Sequence, residues 1–207
     1  MFENAQLATL VASKVCHDMV GPMNGMIQGL EMLKGEDGKV DPDALSLLDQ
    51  GVMTAWAKME FYRFAIGGAL AEGESTLEEA RSMADRLFSV SKSDLVWNAP
   101  QLTMPRPIVR VVANLMSLAN DCLPRGGQVE LTGEAGEVRV IATGARASLQ
   151  EYKSAALRGE IAPDVQPSQI ILPYLAGMFA RQCGAELSAR ESEERIELAA
   201  RSAEIKA

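Results

Sequence analysis

The sequence predicts an α+β protein in which an N-terminal helical hairpin joins a second copy of itself in a four-helix bundle, followed by a C-terminal α/β sandwich. Three observations predict it. Two long stretches, from about Asn4 to Lys34 and from about Ala44 to Leu70, carry helical periodicity with few breakers inside them. The pattern then changes, past Glu72-Gly73-Glu74-Ser75, to short elements of mixed type. And the apolar stripes of two long helices cannot be covered by one hairpin, which makes a homodimer the natural solution.

Between the two helices, Gly35-Glu36-Asp37-Gly38 breaks the first, and Asp41-Pro42-Asp43 starts the second. A loop this short makes the pair antiparallel. Met19, Met23, Met26, Met32, Met53 and Met59 read as bundle packing, and Phe61, Tyr62 and Phe64 as core. Residues 1–73 therefore form a dimerisation hairpin and 74–207 a second domain. In that domain we expect a helix over Leu77 to Ser89, a strand near Leu95 to Trp97 and a helix from about Pro107 to Cys122. Strands over Gln128 to Leu131 and Val138 to Ala142 flank a turn at Gly133 to Gly136. Helices over Ser148 to Leu157 and Ser168 to Cys183, then strands over Ala185 to Ala189 and Arg195 to Ala199, complete it.

Composition limits the function. With 207 residues and 47% hydrophobic content the chain can build a real core. Its net charge of -8 argues against nucleic acid and anionic membranes, both of which need clustered cations, and favours protein partners. No basic segment precedes the first apolar stretch, and no apolar run approaches the roughly 20 residues of a membrane span, so a cytoplasmic protein is expected. Cys16, Cys122 and Cys183 lack paired spacing, which indicates buried thiols with neither disulfides nor a metal site.

The chain holds one histidine, His17, and its position makes it a candidate nucleophile. On a wheel at about 100° per residue, Gln6, Ser13, Asn24, Gln28 and Glu31 lie within roughly 45° of it, while Val11, Val15, Met19, Met26, Leu30 and Leu33 lie opposite. Asp18 follows it, able to orient the imidazole or to be a solvated helix acid. Lys14, one turn earlier, either screens a phosphoryl charge or keeps the face soluble. Pro22 removes the amide that would bond the Asp18 carbonyl, a cost that suggests a purpose. Gly21 and Gly25 leave room for a second protein. A neutral imidazole is available near pH 7 and forms covalent phosphoryl intermediates, so phosphoryl transfer is the chemistry expected, with His17 and Asp18 as its residues and Ser13, Lys14, Gly21, Asn24 and Gln28 as the docking face.

His17-Asp18-Met19-Val20-Gly21-Pro22 resembles the H-box of sensor histidine kinases, and Arg110 to Asn120 followed by Pro124-Arg125-Gly126-Gly127 looks like the asparagine-bearing helix of their ATPase domain. The departures all concern nucleotide. Asn114 matches the first asparagine of that helix, but the second, four residues on, is Leu118. The family's D-x-G-x-G segment corresponds to Ala142-Thr143-Gly144-Ala145-Arg146, and Ile171-Leu172-Pro173-Tyr174, before Leu175-Ala176-Gly177-Met178, offers no flexible phosphate loop. Gly184 fits the turn into the last strands.

An H-box joined to such a degenerate domain resembles the ChpT-type histidine phosphotransferases of alphaproteobacteria, as does Phe61-Tyr62-Arg63-Phe64-Ala65-Ile66-Gly67. The resemblance implies a phosphorelay in which His17 accepts a phosphoryl group from the receiver of a hybrid kinase and passes it to the receiver of a response regulator. It implies that this chain binds neither ATP nor another cofactor, with Mg²⁺ residing in the receiver. Two alternatives differ in observable ways. An ATP-dependent kinase would bind ATP analogues. A non-catalytic dimeric adaptor that sequesters regulators would keep its activity without His17.

Overall fold

The computed structural model describes residues 3–33, 40–67, 73–161 and 165–207. Helix α1 spans Asn4–Met32 and α2 spans Pro42–Ala65. The Glu3 amide donates to Gln6 Oε1 (3.1 Å) at the start of α1. Asp41 caps α2 by accepting from the Asp43 amide (2.8 Å), and Pro42 occupies the first turn, where a missing N–H costs nothing. Both helices end short of the Lys34 and Leu70 expected from periodicity. Those two residues lie outside the described ones, as do Gly35-Glu36-Asp37-Gly38, Gly68 and Glu72.

The two helices pack closely because glycine faces each crossing. A Cβ on Gly29 would lie 2.9 Å from the Ala44 carbonyl, and one on Gly51 would lie 2.9 Å from the Pro22 carbonyl. Ala44 and Ala57 are fully buried in the same seam.

Beyond Gly73 the chain builds a layer of helices on one sheet. Strand β1 (Glu74–Thr76) pairs antiparallel with β3 (Thr103–Pro105), and between them run α3 (Leu77–Ser89) and β2 (Ser93–Trp97). Helix α4 (Arg106–Asp121), strands β4 (Gly127–Glu134) and β5 (Glu137–Thr143), helices α5 (Glu151–Arg158) and α6 (Pro167–Gln182), and strands β6 (Glu186–Ser192) and β7 (Arg195–Arg201) follow. The main sheet has the order β2-β4-β5-β7-β6, parallel only at β2 and β4. Its α+β architecture is the one the sequence predicts. Strands β1 and β3 are additions, each three residues and too short to carry a periodic signal.

One apolar core runs through sheet, α4 and α6 and reaches into the hairpin: Phe61, Tyr62 and Ala65 are buried in it, and Leu7, Leu10, Val11, Val15 and Met19 of α1 pack against it. The wheel thus places Val11, Val15 and Met19 correctly. Leu30 departs from it, being 51% exposed. Together with the exposed Val20, Met23 and Ile27 it forms a second apolar stripe, roughly 60–140° round the helix from His17. Leu45, Val52, Trp56 and Met59 expose a comparable stripe on α2. Of the cysteines only Cys122 is buried. Cys183 is half-buried, and Cys16 is exposed on the solvent side of α1, contrary to the expectation from composition.

Asn114 ties hairpin to sheet. Fully buried on α4, its Nδ2 donates to the Ala65 carbonyl (3.2 Å) in the last turn of α2 and to the Arg110 carbonyl (2.9 Å). Asn114→Ala should remove both buried hydrogen bonds and cost about 1–3 kcal/mol. A thermal melt overlaying the parent's would contradict this.

Candidate functional site

His17 stands in the middle of α1 with its side chain 71% exposed. It is carried on an unbroken helix although Pro22 lies one turn ahead: the helix runs through the proline to Met32. A proline at this position frees the carbonyl four residues back, that of Asp18, at a typical cost of about 3 kcal/mol in a helix interior. Here the freed carbonyl accepts from Lys58 Nζ of α2 (3.3 Å). The Asp18 carbonyl that the sequence shows losing its amide is thus an opened acceptor, and the neighbouring helix fills it.

Asp18 lies on the inward side of the same turn, its side chain 16% exposed. Three donors converge on its carboxylate. Lys14 Nζ bonds both carboxylate oxygens (Oδ1 3.0 Å, Oδ2 2.9 Å), the Tyr62 hydroxyl donates to Oδ2, and His17 Nδ1 stands 3.2 Å from Oδ1. Burial works to raise the Asp18 pKa, but the hydrogen bonds from Tyr62 and Lys14, the Lys14 charge and the His17 contact outweigh it, and the carboxyl is held below its ordinary value. Tyr62 moves the other way: burial first, then its bond to the anionic Asp18, push the phenol well above its usual range and keep it a donor. An ionised Asp18 is acceptor only, so a hydrogen bond at this contact requires the proton on Nδ1, and a neutral ring so bonded has its lone pair on Nε2.

Ser13, Gly21, Asn24 and Gln28 are exposed around His17, and nothing lies within 4 Å of a Cβ built on Gly21 or Gly25. Lys14 is different, for its ammonium is turned inward onto Asp18 and its side chain is 15% exposed. Sequence reasoning missed Tyr62 and Lys58. A tyrosine in an apolar cluster reads as core, and Tyr62 is indeed 6% exposed, so only its hydroxyl carries the second role.

At the positions that resemble nucleotide ligands, Leu118 and Ala142 are core residues, 1% and 0% exposed, and Asn114 Nδ2 donates to backbone carbonyls. Arg146, at the place of the motif's last glycine, still has φ 61°, so the backbone keeps a glycine-like turn without the glycine. Ile171 to Tyr174 are buried inside α6, with Pro173 in its interior. Among the described residues no three potential ligands come together as a metal site, and no helix is long and apolar enough to cross a membrane.

The hairpin carries its exposed histidine on an α/β sandwich whose interior is filled with apolar side chains. The profile of the histidine phosphotransferase C-terminal domain matches residues 77–195, and the chain belongs to that family. Its function is histidine phosphotransfer in a phosphorelay. The protein phosphotransferase ChpT of Brucella abortus (strain 2308) is 29% identical over 196 residues, 92% of each chain. A solved bacterial phosphotransferase superposes with a TM-score of 0.86 at 24% identity, covering 97% of this chain and 98% of the other. The Acinetobacter baumannii histidine kinase AdeS shares the fold more loosely, with a TM-score of 0.52 at 9% identity over 91% and 98% of the two chains.

The depressed Asp18 pKa has a thermodynamic consequence. Its network should stabilise the fold fully above the ordinary carboxylate value of about 3.9 and lose that contribution as pH falls through the lower folded value. Urea midpoints of the parent and Asp18→Asn should therefore differ at neutral pH and converge in acid. A gap that stays constant down to pH ~2 would contradict the assignment.

Proposed function

We propose that His17 is the phosphoryl carrier, accepting the group from the receiver aspartate of a hybrid kinase and passing it to the receiver aspartate of a response regulator. The observation that carries the reading is that the chain's single histidine is exposed, mid-helix, with Nδ1 on an ionised neighbour. The Nε2 lone pair attacks phosphorus in line, the Nε2–P bond forms, and the P–O bond to the receiver's aspartate breaks, the carboxylate leaving with the electron pair. Nδ1 keeps its proton, so the ring becomes cationic as it gains the phosphoryl group, and Asp18 beside it offsets that charge. Donation runs the same steps backwards. Mg²⁺ belongs to the receiver, where it neutralises the phosphoryl oxygens.

Ser13, Gly21, Asn24 and Gln28 form the surface on which receivers dock, and the open space over Gly21 and Gly25 admits their approach. Lys14 serves the site through Asp18. ATP is not a substrate, since Leu118 and Ala142 offer no polar group to it. Residues 1–73 act as the phosphotransfer hairpin and 74–207 as its support, in a cytoplasmic homodimer. The exposed stripes on α1 and α2 supply the dimer seam, because fully burying one such side chain stabilises by about 1.5–3 kcal/mol. Light scattering at micromolar concentration should give a dimer mass, and a monodisperse monomer would defeat the seam.

The test of function is a labelling experiment. Phosphorylated receiver domains should transfer acid-labile, base-stable label to the parent, and labelled ATP alone should transfer none. His17→Ala should melt within about 0.5 kcal/mol of the parent, bind receivers, and take no label. A labelled variant would mean that another residue is the nucleophile, and relay-independent activity of the unlabelled one would favour an adaptor.

A further inference from the structure

We infer that Tyr62 and Lys58 of α2 are positioning residues for phosphoryl transfer: they grip Asp18 from the facing helix, and so fix the direction in which the His17 imidazole presents Nε2. The inference rests on His17 being the carrier.

The two residues are one turn apart and reach the same partner at different atoms. Lys58 Nζ takes the Asp18 main-chain carbonyl, and the Tyr62 hydroxyl takes side-chain Oδ2. A carboxylate held at its backbone and at one oxygen has little freedom to rotate, and its other oxygen, Oδ1, is left pointing at His17 Nδ1. The imidazole is itself exposed, so without this bond its ring would swing freely about χ2. Lys14 does not do the same work. It comes from α1, as His17 does, and bonds both oxygens, so it supplies charge without choosing between them.

Tyr62 is in turn placed from behind. Its ring is buried in the core shared with the C-terminal domain, edge-on to Phe61 with centroids 5.5 Å apart, and Asn114 holds the end of α2 through Ala65. Asp121, in the last turn of α4, is within electrostatic reach of Lys14, Lys58, Asp18 and Tyr62. The second domain thus bears on the histidine through Tyr62, with no nucleotide involved.

The test compares the full-length parent with Tyr62→Phe, which keeps the ring, and Lys58→Met, which keeps the stem. His17 is labelled with phosphoramidate, and transfer to a receiver domain that the parent phosphorylates is followed in single turnover. Receiver binding is measured by calorimetry, and the one imidazole is observed by ¹⁵N NMR. We expect Tyr62→Phe to slow transfer tenfold or more with receiver affinity unchanged, and the imidazole to lose its single Nδ1–H tautomer for a mixture. Lys58→Met should do the same to a smaller degree and carries the test if Tyr62→Phe does not fold. Transfer within twofold of the parent, or a slowed variant with an unaltered imidazole spectrum, would overturn the inference. Absence of label on His17 in the parent would instead defeat the carrier assignment, before any variant is read.

Discussion

The arrangement depends on one half-buried carboxylate. Asp18 joins two helices through Tyr62 and Lys58 and touches the exposed imidazole through its remaining oxygen. Burying a charge is costly unless it is paired and hydrogen-bonded, and Asp18 meets that condition with a lysine, a phenol and an imidazole. Its backbone is recruited too, because Pro22 frees the carbonyl that Lys58 then occupies. A motif that reads in sequence as histidine, acid and proline is in space one turn of helix with three parts: an imidazole pointing out, an anion pointing in, and an opened acceptor facing the neighbour. The imidazole is exposed, while the carboxylate it touches is gripped from the facing helix.

The C-terminal domain backs this site with packing. Leu118 and Ala142, at the positions that resemble the kinases' second asparagine and adenine-reading aspartate, are both fully packed in its core. Asn114 on α4 donates through Nδ2 to the end of α2, and Arg146 has a left-handed backbone where the resembling motif has glycine. One continuous core links the sheet to Phe61, Tyr62 and Ala65 of the hairpin.

Much of this was legible in the sequence, and the failures have physical causes. Helix α3 falls on Leu77–Ser89 as expected, and α4, α6 and the strands of the main sheet lie within a few residues of their predicted bounds, because long periodic segments carry their own signal. Strands β1 and β3 were invisible because three residues hold no period. At the site, the exposure of His17 follows from its wheel position. The inward turn of Lys14 does not, since Lys14 lies only about 60° from the histidine and its long stem decides its direction by finding Asp18. Tyr62 was hidden because burial and hydrogen bonding are independent properties of a tyrosine, and the sequence advertises only the first.

The same reasoning separates the faces of α1. One side, with Val11, Val15 and Met19, is covered by this chain's own core, while Val20, Met23, Ile27 and Leu30 expose apolar surface. Between them lies the polar line of Ser13, His17, Asn24 and Gln28. A helix of 29 residues has room for three such tasks only if they are staggered along it as well as around it. The staggering is visible: the contacts with the C-terminal domain's core end at Met19, and the exposed apolar stripe starts at Val20. His17 sits at that changeover, backed by the one domain and adjoining the stripe that a second copy would cover. One flank of the histidine is thus fixed by this chain's own core, and the other is open apolar surface.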